Sequence, residues 1–362
     1  MEQYKGPHRL FLIGDTGKPD LSGDAVFQLL KVKLEEAGKN STVIFLGDNV
    51  YPNGLPPVGH QSRDLSERRL LFQLDAVKDH PGQVFFISGN HDWNKGKRGG
   101  LHYVRIQEKF VESYLQRGDI YLPSKGCPGP KEVIINENFR LIFINTQWWV
   151  QKGKKPIGTA LGCIAKTEDH FFRILNEMLN KEQGHTIVVG HHPLYSKAMH
   201  GGVFSPKQHI FPLRFVHKNL YIPLPGAGSL YPLFRKYFGA AEDISYPPYR
   251  KMRNRLLHIF RKHKDLIYTA GHDHNLQYIK KGEQHFLISG SGSKAAYVRQ
   301  GKSSKFSFSS KGFIELGLNS PGDVDIIAWE ALLSQPQGRA LYRGKMISTR
   351  PSNSIANPYH SF

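Results

Sequence analysis

The sequence predicts an α/β fold organised around mixed β-sheet, and three observations carry that reading. Short apolar runs recur along the chain, each stopped by a glycine and followed by Asp, Asn or His; amphipathic stretches of helical period separate the early runs; and a close pair of strands breaks the parallel rhythm in mid-chain. Ligands of open α/β sheets gather at the carboxyl ends of strands, so the polar clusters after these runs are where chemistry is expected.

Each element has its own justification. Leu10-Phe11-Leu12-Ile13 is the first buried strand and ends in Gly14-Asp15-Thr16-Gly17. Residues 23–37 follow as a helix with Val26, Leu29, Leu30 and Leu34 on one face, closed by Gly38-Lys39-Asn40. The second strand, Val43-Ile44-Phe45-Leu46, delivers Gly47-Asp48-Asn49-Val50-Tyr51. A helix over 65–77 turns Leu70, Leu71, Leu74 and Val77 inward, and His80-Pro81-Gly82 breaks it before the third strand, Val84-Phe85-Phe86-Ile87, which leads to Gly89-Asn90-His91-Asp92. Residues 101–115 read as a third helix. Residues 133–136 and 140–145, around Glu137-Asn138, read as a hairpin, which makes the sheet mixed. A helix over 166–179 buries Phe171, Phe172 and Leu175 and leads to Thr186-Ile187-Val188-Val189 and then Gly190-His191-His192. A basic helix over 250–263 precedes Leu266-Ile267-Tyr268-Thr269-Ala270, which ends in Gly271-His272-Asp273-His274. Four antiparallel strands are expected at 276–280, 285–289, 311–318 and 324–330.

The expected organisation is one catalytic domain over 1–330 and a C-terminal tail or wrapping segment over 331–362. Residues 196–248 are rich in Pro, Gly and aromatics; a segment that long and irregular is functional or disordered, and its aromatic content favours a folded insertion over the site.

At 362 residues and 39% hydrophobic content the chain can bury a substantial core. Its formal charge of +19 draws anions, which suits phosphorylated substrates, nucleic acid or acidic membrane surfaces. No nucleic-acid-binding signature accompanies the basic residues, and no span is apolar enough to cross a bilayer. Cys127 and Cys163 lie outside any CxxC and away from the histidines, which argues against a cysteine-ligated metal and leaves their pairing open. The first strand begins too near Met1 for a signal peptide, so the expectation is a cytoplasmic protein or one whose leader has been removed.

Asp, Asn, Tyr and His at strand ends supply hard oxygen donors and imidazoles, which suit Fe, Mn, Zn or Co. Two aspartates, an asparagine, a tyrosine and three histidines are too many for one ion. Two ions sharing a carboxylate use them all, and a pair ~3.5–4 Å apart is the standard device for in-line displacement at phosphorus. Each motif alone has a plainer reading. Gly-Asp after a strand is commonly a turn; Tyr51 can simply pack beside Pro52; His272-x-His274 places two imidazoles on one side of an extended segment without implying a ligand. Recurrence after five successive apolar runs is what makes the set specific.

That ordered set, Gly14-Asp15-Thr16-Gly17, Gly47-Asp48-Asn49-Val50-Tyr51, Gly89-Asn90-His91-Asp92, Val188-Val189-Gly190-His191 and Gly271-His272-Asp273-His274, resembles the calcineurin-like metallophosphoesterases. Within them it is similar to the purple acid phosphatases of the small, tartrate-resistant type. The resemblance implies a four-layer α/β/β/α sandwich of two mixed β-sheets flanked by helices. It implies a first metal held by Asp15, Asp48, Tyr51 and His274 and a second by Asp48, Asn90, His191 and His272, with Asp48 bridging. It also implies Fe(III) stabilised by the Tyr51 phenolate, paired with Fe(II), Zn(II) or Mn(II), and hydroxide from a bound water attacking phosphorus. His91 and His200 would contact substrate and protonate the leaving group. The family's glutamate beside the second of these is replaced by Met199, which leaves the protonation of His200 open. His192 would touch substrate or pack. The implied activity is phosphomonoester hydrolysis, with a phosphodiesterase or nucleotide phosphohydrolase as the alternative and a non-catalytic polyanion-binding protein as the remote one. Export to a periplasm or to the outside accompanies the resemblance; oligomeric state stays open.

Overall fold

The computed structural model describes residues 7–181, 184–215, 219–224, 226–319 and 321–348. In chain order the elements are β1 (His8–Ile13), α1 (Ala25–Ala37), β2 (Ser41–Phe45), α2 (Arg63–Asp75), β3 (Gln83–Phe86), α3 (Gly100–Leu115), β4 (Lys131–Asn136), β5 (Phe139–Phe143) and α4 (Gln147–Val150). They continue with α5 (Glu168–Leu179), β6 (His185–Val189), α6 (Pro206–Ile210), α7 (Leu230–Tyr237), α8 (Pro247–Phe260), β7 (Ile267–Ala270), β8 (Leu276–Lys281), β9 (Gln284–Ser289), β10 (Ser304–Phe308), β11 (Gly312–Asn319), β12 (Asp323–Leu332) and β13 (Gln335–Ile347).

The strands form two mixed sheets. The first has the order β13-β12-β11-β1-β2-β3, with β1, β2 and β3 parallel and β11 antiparallel to β1. The second has the order β10-β8-β9-β7-β6-β5-β4, with β5, β6, β7 and β9 parallel. Alternate side chains assign the layers. Leu141, Phe143, Ile187 and Val189 join the core shared with the first sheet and α1, whereas Ile142, Ile144 and Val188 face the opposite way, against Phe171, Leu175, Met252 and Leu256 of α5 and α8. The result is the four-layer sandwich: helices, sheet, sheet, helices.

Helix ends follow side-chain chemistry. Asp24 caps α1 by accepting from the Val26 N–H at 2.9 Å, and Thr167 caps α5 by accepting from His170. Residues 335–347, expected within a tail or wrapping segment, instead form β13 on the edge of the first sheet, and 349–362 lie outside the described residues. The insertion holds α6 and α7, neither of which the sequence reading placed. Cys127 and Cys163 are joined by a disulfide. Among the described residues, no helix is long and apolar enough to cross a membrane.

Candidate metal centre

All five polar clusters sit at the carboxyl ends of parallel strands, at one rim of the sandwich. Asp15 follows β1, Asp48 and Tyr51 follow β2 and Asn90 follows β3; His191 follows β6, and His272 and His274 follow β7. Each sheet therefore contributes donors to one place.

Tight turns aim these side chains. Asp15 (φ 59°), Asp48 (φ 55°) and His272 (φ 69°) all have left-handed backbone, a conformation that costs a non-glycine residue about 1–3 kcal/mol and that clusters at functional sites. The fold holds them there by hydrogen bonds: Asp15 N–H donates to Gly47 O at 2.9 Å and Gly17 N–H to Asp48 O at 3.0 Å. Gly47 (φ +90°) has no room for a side chain, since a Cβ would lie 2.6 Å from Gly89 N and 2.7 Å from His191 Nδ1.

The donor atoms form two knots. In one, the Tyr51 hydroxyl donates to Asp15 Oδ1 at 2.9 Å and lies 3.0 Å from His274 Nε2. In the other, Asn90 Oδ1 lies 3.0 Å from His191 Nε2 and 3.1 Å from His272 Nδ1. Asp48 sits between them, 3.5 Å from His191 Nε2 and near enough to Tyr51 to influence its proton. Ligand atoms of Asp15, Asp48 and His191 all lie within 4.8 Å of one another, a spacing that can hold a metal ion.

Surrounding groups fix the tautomers a cation requires. His191 Nδ1 faces Leu46 O at 2.7 Å, leaving Nε2 for the centre; His272 Nε2 faces Glu242 O at 2.8 Å, leaving Nδ1. Asn90 Nδ2 donates to Glu242 Oε1 at 3.0 Å, which turns the amide oxygen towards the two imidazoles. Burial, then the neighbouring histidines, hold the His272 pKa well below its ordinary value, so the ring is neutral and able to coordinate. Burial opposes ionisation of Asp48, but His91, His191 and the His91 N–H outweigh it and bring the carboxyl down to about 2. Burial and the two aspartates keep the Tyr51 phenol well above its ordinary pKa, so only a cation in the proton's place would ionise it. The donor set, buried except for the half-buried His274, oxygen-rich and with oriented imidazoles, fits two hard or borderline cations.

His91 turns its Nδ1 to Pro52 O at 2.5 Å and its Nε2 towards Asp48 Oδ2 at 3.8 Å, with its ring against Tyr51. His200 is buried with its ring 4.2 Å from that of His272. Its Nδ1 meets Asp243 Oδ1 at 3.0 Å; burial lowers its pKa, but Asp243 and Asp273 raise it further, and the net shift is upward. Asp243 is thus the carboxylate that His200 meets directly. His192 packs against His191 and His272, fully buried beside Tyr249, its Nδ1 2.8 Å from Thr146 Oγ1.

Sequence reasoning missed several residues. Glu242 and Asp243 have a signal in hindsight: residues 183–241 contain no Asp or Glu, and these two end the run. Arg235 donates to Asp243 Oδ2 from Nε at 2.8 Å and also bonds Oδ1. Lys294, in the turn after β9, places Nζ 3.5 Å from the Tyr51 ring centroid beside Asp15 and Asp48. Asp92, raised to about 7 by burial and then Asp48, accepts from the N–H groups of Asn49 (3.0 Å) and Gly89 (2.8 Å), tying the loops after β2 and β3 together.

A two-sheet sandwich whose parallel strand ends converge on oxygen and imidazole donors is the architecture of a metal-dependent phosphoesterase. The family model for calcineurin-like phosphoesterases matches residues 8–276, and the chain belongs to that family. Among solved structures, it is similar to GAP50, the anchor in the inner membrane complex of Plasmodium, with 16% identity, a TM-score of 0.55 and coverage of 98% of this chain and 93% of that one. It is also similar to a purple acid phosphatase from yellow lupin (Lupinus luteus) seeds, with 14% identity, a TM-score of 0.56 and coverage of 93% of this chain and 53% of that one. PhoD aligns at 8% identity with a TM-score of 0.55 over 95% of this chain and 72% of its own. At these identities the likenesses concern the fold alone. A search of curated proteins returned no match.

Proposed function

We propose that this family member is a phosphomonoesterase of the purple acid phosphatase type, with Asp15, Asp48, Tyr51 and His274 holding one cation and Asp48, Asn90, His191 and His272 the other. The observation that carries the reading is the position of Asp48 between two knots of donors, one of which contains a phenol oxygen 2.9 Å from a carboxylate and 3.0 Å from an imidazole. Bound cations would supply Lewis acidity for the phosphoryl oxygens and a water of lowered pKa. The chain's own groups do the rest. Lys294 adds positive charge beside Tyr51, Asp15 and Asp48. His91 and His200 would stand beside the leaving oxygen, and the Asp243 carboxylate, 3.0 Å from His200 Nδ1, raises that ring's affinity for a proton. His192 positions His191 and His272 by packing.

Were Fe(III) held by the Tyr51 oxygen, the phenolate would give a visible charge-transfer absorption. The test is a spectrum with metal analysis on the purified protein. Expected are iron, a visible band and release of phosphate from p-nitrophenyl phosphate, with the band lost in Tyr51→Phe. A colourless, active zinc or manganese protein would remove the iron assignment. Faster hydrolysis of bis(p-nitrophenyl) phosphate or AMP would replace the monoesterase reading with the diesterase or nucleotidase one. The Cys127–Cys163 disulfide supports an oxidising compartment, periplasmic or extracellular.

A further inference from the structure

Helix α7 is built inside out. Its apolar residues recur at Leu230, Leu233, Phe234, Tyr237 and Phe238, the spacing of one broad helical face, and that face points to solvent: Leu230 and Phe238 are each 68% exposed and Phe234 51%. The side turned inward carries Arg235, 6% exposed and bonded to Asp243. A helix that buries its arginine and displays leucine and phenylalanine presents an apolar face that none of the described residues covers. The patch extends beyond α7. Ile210 at the end of α6 and Leu224 are exposed and tied together by the Leu224 N–H to Ile210 O hydrogen bond at 2.9 Å, with Ile222 exposed beside them; Gly228 N–H, just before α7, donates in turn to Leu224 O.

Charge selects the occupant. Residues 183–241 contain no Asp or Glu, and although Arg235 is taken up by Asp243, the segment keeps Lys197, Lys207 and Lys236 among its described residues. Lys207 and Lys236 are exposed on the two helices of the patch. A second copy of the chain meeting this face about a two-fold axis would bring the same lysines against themselves with no carboxylate of the segment to answer them. An anionic bilayer surface complements both features, taking the Leu and Phe side chains at the acyl boundary, Tyr237 at the headgroup level and the lysines at lipid phosphates.

We propose that the α6–α7 face is a peripheral docking surface for anionic lipid bilayers, independent of the chemistry at the metal centre. The full-length protein is sedimented with vesicles of phosphatidylglycerol and phosphatidylcholine and, separately, of phosphatidylcholine alone. Uptake is expected on the anionic vesicles and to fall as salt rises. Leu233→Ser/Phe234→Ser/Phe238→Ser is expected to reduce it more than about tenfold. Lys207→Gln and Lys236→Gln are expected to reduce it roughly fivefold each. Because these side chains are exposed, thermal midpoints should match the wild type, which separates lost binding from misfolding. No uptake at low salt, equal uptake on uncharged vesicles, or undiminished uptake by the triple variant would overturn the proposal. A concentration-dependent dimer, dissolved by the triple variant and indifferent to vesicles, would overturn it in favour of a second copy.

Discussion

Gly47 shows how much of the centre rests on one missing methyl. Its left-handed φ and the 2.6 Å approach to Gly89 N leave an added Cβ no place except by displacing the β3 loop or His191. Gly47→Ala is expected to lose about 1–3 kcal/mol of stability and most of the bound metal. Gly38, also at positive φ but with nothing within 4 Å of where a methyl would sit, is the control: Gly38→Ala should cost about 1 kcal/mol and leave metal content unchanged. Urea unfolding with metal analysis of both variants decides between a steric and a purely conformational role. At this scale the sequence was highly legible, because each candidate donor directly follows an apolar run and a glycine, and short-range order fixes where it points. Glu242, Asp243 and Lys294 were not, since their relation to Asn90, His200 and Tyr51 spans 152, 43 and more than 200 residues, and the acid-free run that the first two end does not say which side chains they meet.

Helices with one clear apolar stripe were legible to within a few residues, as α1, α3 and α5 show. Elements defined by tertiary context were not. β13 contains Pro336, Gly338 and Gly344, has register shifts against β12 and is exposed along much of its length, so it lacks the continuous apolar signal of a central strand. α7 reads poorly as a helix because Pro232 lies near its start and its apolar residues have no partner stripe in the core. What holds it is the latch of Arg235 to Asp243 and Asp243 to His200. Asp243→Ala leaves a buried guanidinium unpaired, at a cost of roughly 3–5 kcal/mol. The expected result is local opening: faster amide exchange and proteolytic nicking around α6 and α7, with β1 and β2 as protected as in the wild type. Uniform loss of protection across the chain would mean that the latch supports the whole fold.

At the scale of the molecule, pH acts through buried and half-buried histidines. His8, His80 and His285 are each held down to about 4, mainly by burial, against an unfolded value of about 6.5. Between those values the unfolded chain takes up protons that the folded one refuses, so stability is complete above about 6.5 and falls as pH drops towards 4. Asp92 and Glu108, both raised to about 7 by burial, oppose this, but a net charge of +19 that grows in acid adds repulsion on the side of the histidines. The urea midpoint is expected to be lower at pH 4.5 than at pH 7; an unchanged midpoint would show that the carboxyls dominate. The two-sheet layout was legible only through family resemblance, because strand order is a property of distant pairing that periodicity does not encode. That layout has a mechanical consequence. On the proposed assignment each cation takes donors from both sheets, so it rivets two slabs that otherwise meet along their rim through apolar packing and bonds such as Gly14 N–H to Ser289 O. Stripping the ions with a chelator should lower the melting temperature and restoring them should raise it again, so that the lifetime of the folded chain would track the supply of metal around it.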